Sequence, residues 1–101
     1  MSNQPHFNGL TPAEAERLAL LLEECGEVVQ IVGKILRHGY LSHHPDDPYR
    51  TPNRRLLEKE VGDVRAAISL MLEAGDMQPA RVQRNEFEKR ENVRRYLHHQ
   101  D

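Results

Sequence analysis

A chain of 101 residues with 38% hydrophobic and 30% charged residues has the length of a single domain, 1–101, and a modest core, so a homodimer or homotetramer is expected to supply further burial. No apolar run approaches the roughly 20 residues that span a bilayer, and a net charge of −2 lacks the basic excess of nucleic-acid-coating proteins. Neither a membrane nor a nucleic-acid partner is expected, and because MSNQPHFNGL has no basic start or apolar stretch of a leader, a cytoplasmic location is the default.

The first ten residues read as an N-terminal arm. Thr11, Pro12 and Glu14 then spell a capping box with proline at the first helical position, and an apolar pattern runs from there to Leu36 before Gly39 ends it. Cys25, the single cysteine, lies within that pattern and excludes an intrachain disulfide; a small core residue is the expectation for it. Residues 39–52, GYLSHHPDDPYRTP, hold three prolines and a glycine and predict a loop. A second helix opens at Thr51, Pro52 or Asn53, carries Leu57, Val61, Val64, Ile68, Met71 and Leu72, and closes at Gly75. Pro79 can start a third helix over 80–101, thin in apolar residues and basic. Residues 12–76 hold eight Lys/Arg against twelve Asp/Glu, whereas residues 81–101 hold six against four, so an acidic body meets a basic tail. No segment alternates apolar and polar residues over strand length, and the predicted class is all-α, a bundle of three main helices completed by oligomerisation.

At 100° per residue, Leu18, Leu21, Leu22, Cys25, Val28, Val29, Val32, Ile35 and Leu36 fall in one broad stripe, the expected core face of helix one. A second stripe is less ordinary. Leu20, Glu24, Glu27 and Ile31 follow at steps of four, three and four, and helix two repeats those steps with Leu56, Glu60, Asp63 and Ala67. Each copy has a glycine before its second carboxylate, Gly26 and Gly62. Glycine inside a helix costs up to about 1 kcal/mol relative to alanine, which predicts close approach of another helix at both. Like charges three residues apart repel and lose hydration against an apolar surface, so two such pairs are unfavourable without a cation. Two acidic helix faces opposed across a bundle would converge on one divalent ion. An all-oxygen donor set suits Mg²⁺ or Mn²⁺ rather than Zn²⁺, and Mg²⁺ in turn suits phosphate-bearing substrates.

The segments LLEECGEVVQ and LLEKEVGDVRAAISLM together resemble the signature of MazG-like proteins in the all-α nucleotide pyrophosphohydrolase superfamily, E-E-x-x-E, a spacer, then E-x-x-D. Here the pattern is Glu23, Glu24 and Glu27, then Glu60 and Asp63, within residues 12–76. The resemblance implies that Glu24, Glu27, Glu60 and Asp63 bind Mg²⁺ and are the catalytic set. It also implies hydrolysis of a nucleoside triphosphate between the α and β phosphates. Glu23 matches the first Glu of the motif, with a supporting and a solvated role both open. The 32 residues between Glu27 and Glu60 exceed the usual spacer, the excess lying in the Pro/His-rich loop, which leaves the subfamily open. The family also tends to hold phosphates with basic residues after the second motif, for which the third helix offers Lys89, Arg90, Arg94 and Arg95.

His38, His43 and His44 at the loop, and His98 and His99 at the end, lack carboxylate or cysteine partners at ligand spacing and are expected to be surface residues. Tyr40 and Tyr49 border the same loop and are expected to pack on the bundle rather than stack on a base. Rival readings are a relative acting on phosphoribosyl-ATP or on dUTP or dCTP, and a catalytically silent helical module whose acidic faces bind a basic partner.

Overall fold

The computed structural model describes residues 7–100. The regular structure among them is three α-helices, α1 (Pro12–His38), α2 (Asn53–Glu73) and α3 (Pro79–Val93), followed by a 3₁₀ turn at Arg94–Tyr96. With no strand among the described residues, the fold class is all-α, as the periodicity predicts. None of these helices is long and apolar enough to cross a membrane. The chain falls into two compact units, one reaching to Leu70 and the other beginning at Met71. The first six residues of the predicted N-terminal arm and residue 101 lie outside the described residues.

In the first unit, α1 begins where the capping box places it. The Thr11 hydroxyl accepts from the Glu14 amide at 3.1 Å, and the Glu14 carboxylate accepts from the Thr11 amide at 2.8 Å, so two otherwise unpaired backbone donors are satisfied. Gly39 ends the helix at φ 88°, its amide donating to the Ile35 carbonyl at 2.7 Å. A β-carbon would be strained there, which is why glycine stops this helix.

The loop that follows is built rather than loose. Both Asp47 carboxylate oxygens accept backbone amides, from Tyr49 at 2.9 Å and Thr51 at 2.8 Å, and these bonds hold the Asp47 pKa below the ordinary carboxylate range. At its end the chain is stitched back to its beginning: the amides of Asn53 and Arg54 donate to the carbonyls of Ser42 and Tyr40 at 2.8 and 2.9 Å. The buried Asn53 side chain adds a bond from Nδ2 to the Gly39 carbonyl at 3.1 Å. The end of α1 and the start of α2 are therefore clamped together, and α2 returns beside α1.

The face that α1 turns inward differs from the expected one. Ile31 is buried, and Leu20, Glu24 and Glu27 are half-buried, so the acid-bearing stripe is the inner face. Leu22, Val29 and Leu36 of the expected core stripe are 77%, 70% and 83% exposed, with Leu18, Val32 and Cys25 also exposed. On α2 the corresponding inner stripe holds Leu56, Glu60, Asp63 and the buried Ala67, while Leu57, Val64 and Ile68 are half-buried and Val61 is exposed. Leu21, Val28 and Ile35 of the expected stripe are half-buried, so its one edge is partly covered while Leu22, Val29 and Leu36 face outward, and the fully buried residue of α1 lies on the acidic stripe. Nor do Gly26 and Gly62 mark a close helix crossing, because a β-carbon at either would meet nothing within 4 Å among the described residues. Tyr49 is exposed rather than packed on the bundle, while Tyr40 lies against α2 through the Arg54 guanidinium, 4.7 Å from its ring centre.

The second unit contains the end of α2, closed by Gly75 at φ 84° with the Asp76 amide donating to the Met71 carbonyl at 2.9 Å. Its α3 starts at Pro79 but ends at Val93, sooner than predicted. From Arg94 the chain tightens into the 3₁₀ turn, with the Leu97 amide on the Arg94 carbonyl at 3.3 Å. Adjacent arginines and histidines, with few apolar residues to bury, give this stretch little to extend an α-helix for, and 3₁₀ turns commonly close helix ends.

The clamp gives the first prediction. Replacing Asn53 by alanine leaves the Gly39 carbonyl short of a partner and should cost about 1–3 kcal/mol in urea denaturation, against about 1 kcal/mol for Thr11→Ala at the helix cap. An Asn53→Ala cost no larger than that of an exposed substitution would contradict a clamp between α1 and α2.

Candidate metal centre

The two inner stripes bring four carboxylates together. Glu24 and Glu27 from α1 and Glu60 and Asp63 from α2 each offer one oxygen, and these four oxygens all lie within 4.8 Å of one another. Glu24 feels Asp63 as its strongest charged neighbour and Glu60 feels Glu27. Residue numbers thus rise along one helix as they fall along the other, which makes α1 and α2 an antiparallel pair in this register. Leu20 and Ile31 on one helix, and Leu56 and Ala67 on the other, bracket the acids with apolar surface. Aliphatic residues one turn before and after each acid pair are what keep the carboxylates facing inward.

The electrostatics are those of an uncompensated site. The Glu24 pKa is raised above the ordinary glutamate value, first by burial, then by the charge of Asp63, with Glu23 and Glu60 adding to it. That of Glu60 is raised chiefly by a hydrogen bond with Glu27, which two carboxyl groups can form only by sharing a proton, and further by burial and the Glu27 charge. One oxygen of each, Oε2 of Glu24 and Oε2 of Glu60, is buried with no hydrogen-bond partner among the described residues. Lone pairs in that state are costly unless a proton or a cation fills them.

Part of the compensation comes from Lys59. Its ammonium lies 2.8 Å from Asp63 Oδ2 and 3.7 Å from Glu60 Oε1, and these bonds raise its pKa above the usual lysine range. Lys59 was not among the residues singled out by motif, although its position four residues before Asp63 is the ordinary helical spacing for an ion pair. One exposed ammonium cannot offset four carboxylates.

A divalent ion fits what remains. Oxygens on opposite sides of an octahedral Mg²⁺ ion, each at about 2.1 Å, stand about 4.2 Å apart, so four oxygens all within 4.8 Å of one another are spaced on the scale of one such ion. The donors are all hard oxygens, the set that selects Mg²⁺ or Mn²⁺.

Of the other predicted site residues, Glu23 is exposed at the edge of this group and acts on Glu24 through its charge. Lys89, Arg90, Arg94 and Arg95 belong to the second unit. There Arg94 lies 3.8 Å from Glu91, Arg95 sits 5.9 Å from the Tyr96 ring centre, and Arg90 and Arg94 line a cavity with Val93, Leu97 and His98. The four acids and these four cations are therefore described in separate units.

Beside the carboxylates a cavity of about 720 Å³ opens between the helices, with Glu27 and Glu60 in its wall and Lys34 and Arg37 further along α1. Neither cation was singled out from the sequence. For Lys34 the signal was present in the spacing, because seven residues after Glu27 return to nearly the same face of the helix, whereas Arg37, ten residues on, stands about 80° round from it.

No family model, curated protein or solved structure matches the chain.

The raised pKa values set the direction of a pH effect. A carboxyl that holds its proton more tightly when folded contributes its full stability below the unfolded pKa and loses it as pH rises through the folded one. Lys59, also raised, keeps its contribution until pH climbs past the ordinary lysine range. In EDTA, therefore, Glu24 and Glu60 should lower the Tm as pH rises from the carboxylate range toward neutrality. Glu60→Gln, which cannot ionise, should flatten that fall and raise the Tm at neutral pH. A Glu60→Gln variant melting below the wild type in EDTA would argue against repulsion within the cluster.

Proposed function

We propose that this chain is a Mg²⁺- or Mn²⁺-dependent nucleotide pyrophosphohydrolase of the MazG-like kind, acting on a nucleoside triphosphate to give a monophosphate and pyrophosphate. The observation that carries the proposal is the meeting of four carboxylate oxygens within 4.8 Å, from the same four residues that the E-E-x-x-E and E-x-x-D pattern marks. Convergence of that kind, with two buried carboxylate oxygens left without a hydrogen-bond partner among the described residues, supports a ligand set over solvated acids. Glu24, Glu27, Glu60 and Asp63 would hold the cation. When bound, such an ion neutralises phosphate oxygens and lowers the pKa of water for in-line attack.

In the reaction proposed, a water oxygen attacks the α-phosphorus and gives up a proton to solvent, the bond from that phosphorus to the bridging oxygen breaks, and pyrophosphate leaves with the electron pair. The protein's part is mainly positional. Its apolar brackets, Leu20, Ile31, Leu56 and Ala67, keep the acids aimed at one point, and rigid placement of charge is what electrostatic catalysis requires. A relative acting on phosphoribosyl-ATP, dUTP or dCTP breaks the same type of bond and would use the same acids. The interaction-module reading is less well supported, because the four acids are half-buried between two helices of this chain rather than offered outward to a partner.

A second copy of the chain is proposed as the cover of the outward stripe of α1. Leu22, Val29 and Leu36 are among the exposed apolar side chains, while Ile31, Ala67 and Met71 are the buried ones among the described residues. A domain this small gains most from burying such a face.

Two measurements bear on these readings. Calorimetry should detect Mn²⁺ binding that Asp63→Asn weakens strongly. Glu24→Gln and Asp63→Asn should each cut pyrophosphate release from triphosphates by about a hundredfold or more, with helicity by circular dichroism unchanged. Near-normal turnover in either variant would remove that residue from the site, and absence of Mn²⁺ binding in the wild type would remove the enzyme. Light scattering should give a mass at least twice the 11.7 kDa of one chain, with Leu36→Arg shifting it toward the monomer; a monomeric wild type would reject the covering copy.

A further inference from the structure

The cavity next to the carboxylates is polarised along its length. Glu27 and Glu60 form one end of its wall, Ile31 and Leu56 the middle, and Lys34 with Arg37 the other end. A second cavity of about 420 Å³ shares Lys34 and Arg37 and reaches the loop at Ser42, His43 and His44. The two cations thus stand where one opening passes into the next. All of these residues belong to the first unit.

Among the described residues Lys59 is paired with Asp63, Arg84 with Glu88 and Arg94 with Glu91, but no ion pair engages Lys34 or Arg37. Their spacing also suits one ligand. At 1.5 Å per residue, Lys34 lies about 10 Å and Arg37 about 15 Å beyond Glu27 along α1. Helical side chains lean toward the N-terminus of their helix, which carries both charged heads back toward the acids.

Such an arrangement recognises an elongated anion, one end of which shares the divalent ion while the rest is met by fixed positive charge. We infer that Lys34 and Arg37 are the phosphate ligands of this site, binding the part of a phosphate chain that extends away from the carboxylate-held ion. The inference rests on the metal-dependent reading above and adds to it the residues of this chain that hold the phosphates remote from the ion. A guanidinium and an ammonium divide that task, the planar fork of Arg37 gripping two oxygens and the Lys34 ammonium acting as a point charge. A monophosphate held at the ion is too short to engage both cations, so a product of that length is retained less firmly than the substrate.

The test uses the full chain loaded with Mn²⁺ and inorganic tripolyphosphate supplied as its Mn²⁺ complex, a probe free of any base preference, with binding read by calorimetry. Lys34→Met and Arg37→Met should each weaken tripolyphosphate binding about tenfold or more, the scale of one charge-assisted contact. Both should leave Mn²⁺ affinity and helicity unchanged. Inorganic phosphate should bind much more weakly than tripolyphosphate to the wild type and respond little to either substitution. Arg65→Met, which removes an exposed charge from α2, serves as a control for general electrostatics and should change tripolyphosphate affinity less than threefold. Wild-type affinity for tripolyphosphate in a Lys34→Met/Arg37→Met double variant would overturn this subsite, as would an equal loss in Arg65→Met. Mn²⁺ binding without any tripolyphosphate binding would also overturn the subsite and leave the metal centre standing. A wild type that binds no Mn²⁺ would overturn both.

Discussion

Four carboxylates held within a few ångströms of one another, between two helices of the same chain, are the constraint around which the first unit is organised. Mutual repulsion and lost hydration both act to part α1 from α2. What opposes them is local and identifiable: apolar brackets one turn on either side of each acid pair, an ammonium from Lys59 on the rim, and a hydrogen-bonded loop that fastens the two helix ends. Antiparallel register follows from that loop, and the register in turn sets Glu24 against Asp63 and Glu27 against Glu60. A hinge rather than a clamp at Asn53 would let the acids separate into water.

Spending the inner face on acids has a consequence for the outer one. The broad apolar stripe of α1, which would ordinarily form a core, faces outward at Leu22, Val29 and Leu36. Helix amphipathicity records that a face prefers to leave water without naming what covers it. If a cation binds the acids and a second copy covers the outer stripe, as proposed, each would add stability by mass action provided it binds only the folded chain.

Charge along the groove between the helices is arranged by sign. Acids gather around Glu27 and Glu60, while Lys34 and Arg37 line the same cavity a few turns away. Opposite charges on one helix face at spacings of three or four residues would usually pair and cancel; here the separation is seven and ten residues, too far for a direct contact. The separation preserves a cavity with acids at one end and cations at the other. The loop at its far end, with His43 and His44 in the wall of the adjoining cavity, is held in shape by Asp47, so its extra length is compatible with a defined boundary.

Much of this is written locally in the chain. Thr11, Pro12 and Glu14 set the start of α1, Gly39 and Gly75 set the helix ends, and the repeated four-three-four steps single out Glu24, Glu27, Glu60 and Asp63, because capping, backbone freedom and helical periodicity act over a few residues at a time. Which stripe of α1 turns inward was a different matter. Periodicity gave Leu22, Val29 and Leu36 the stronger claim to a core, yet a helix has no information about its neighbour until the intervening loop fixes where that neighbour returns, and the Gly39 to Asn53 clamp brings α2 back onto the acidic side. The same holds for Lys59, Lys34 and Arg37. As sequence they are three ordinary surface cations, and they gain their positions at the acids and in the cavity when α1 and α2 face each other. The amino-acid sequence alone thus determined the helices and the four acids. Tertiary structure decided that the acids meet, which face is left open and which cations surround them, since those depend on distances between segments far apart along the chain.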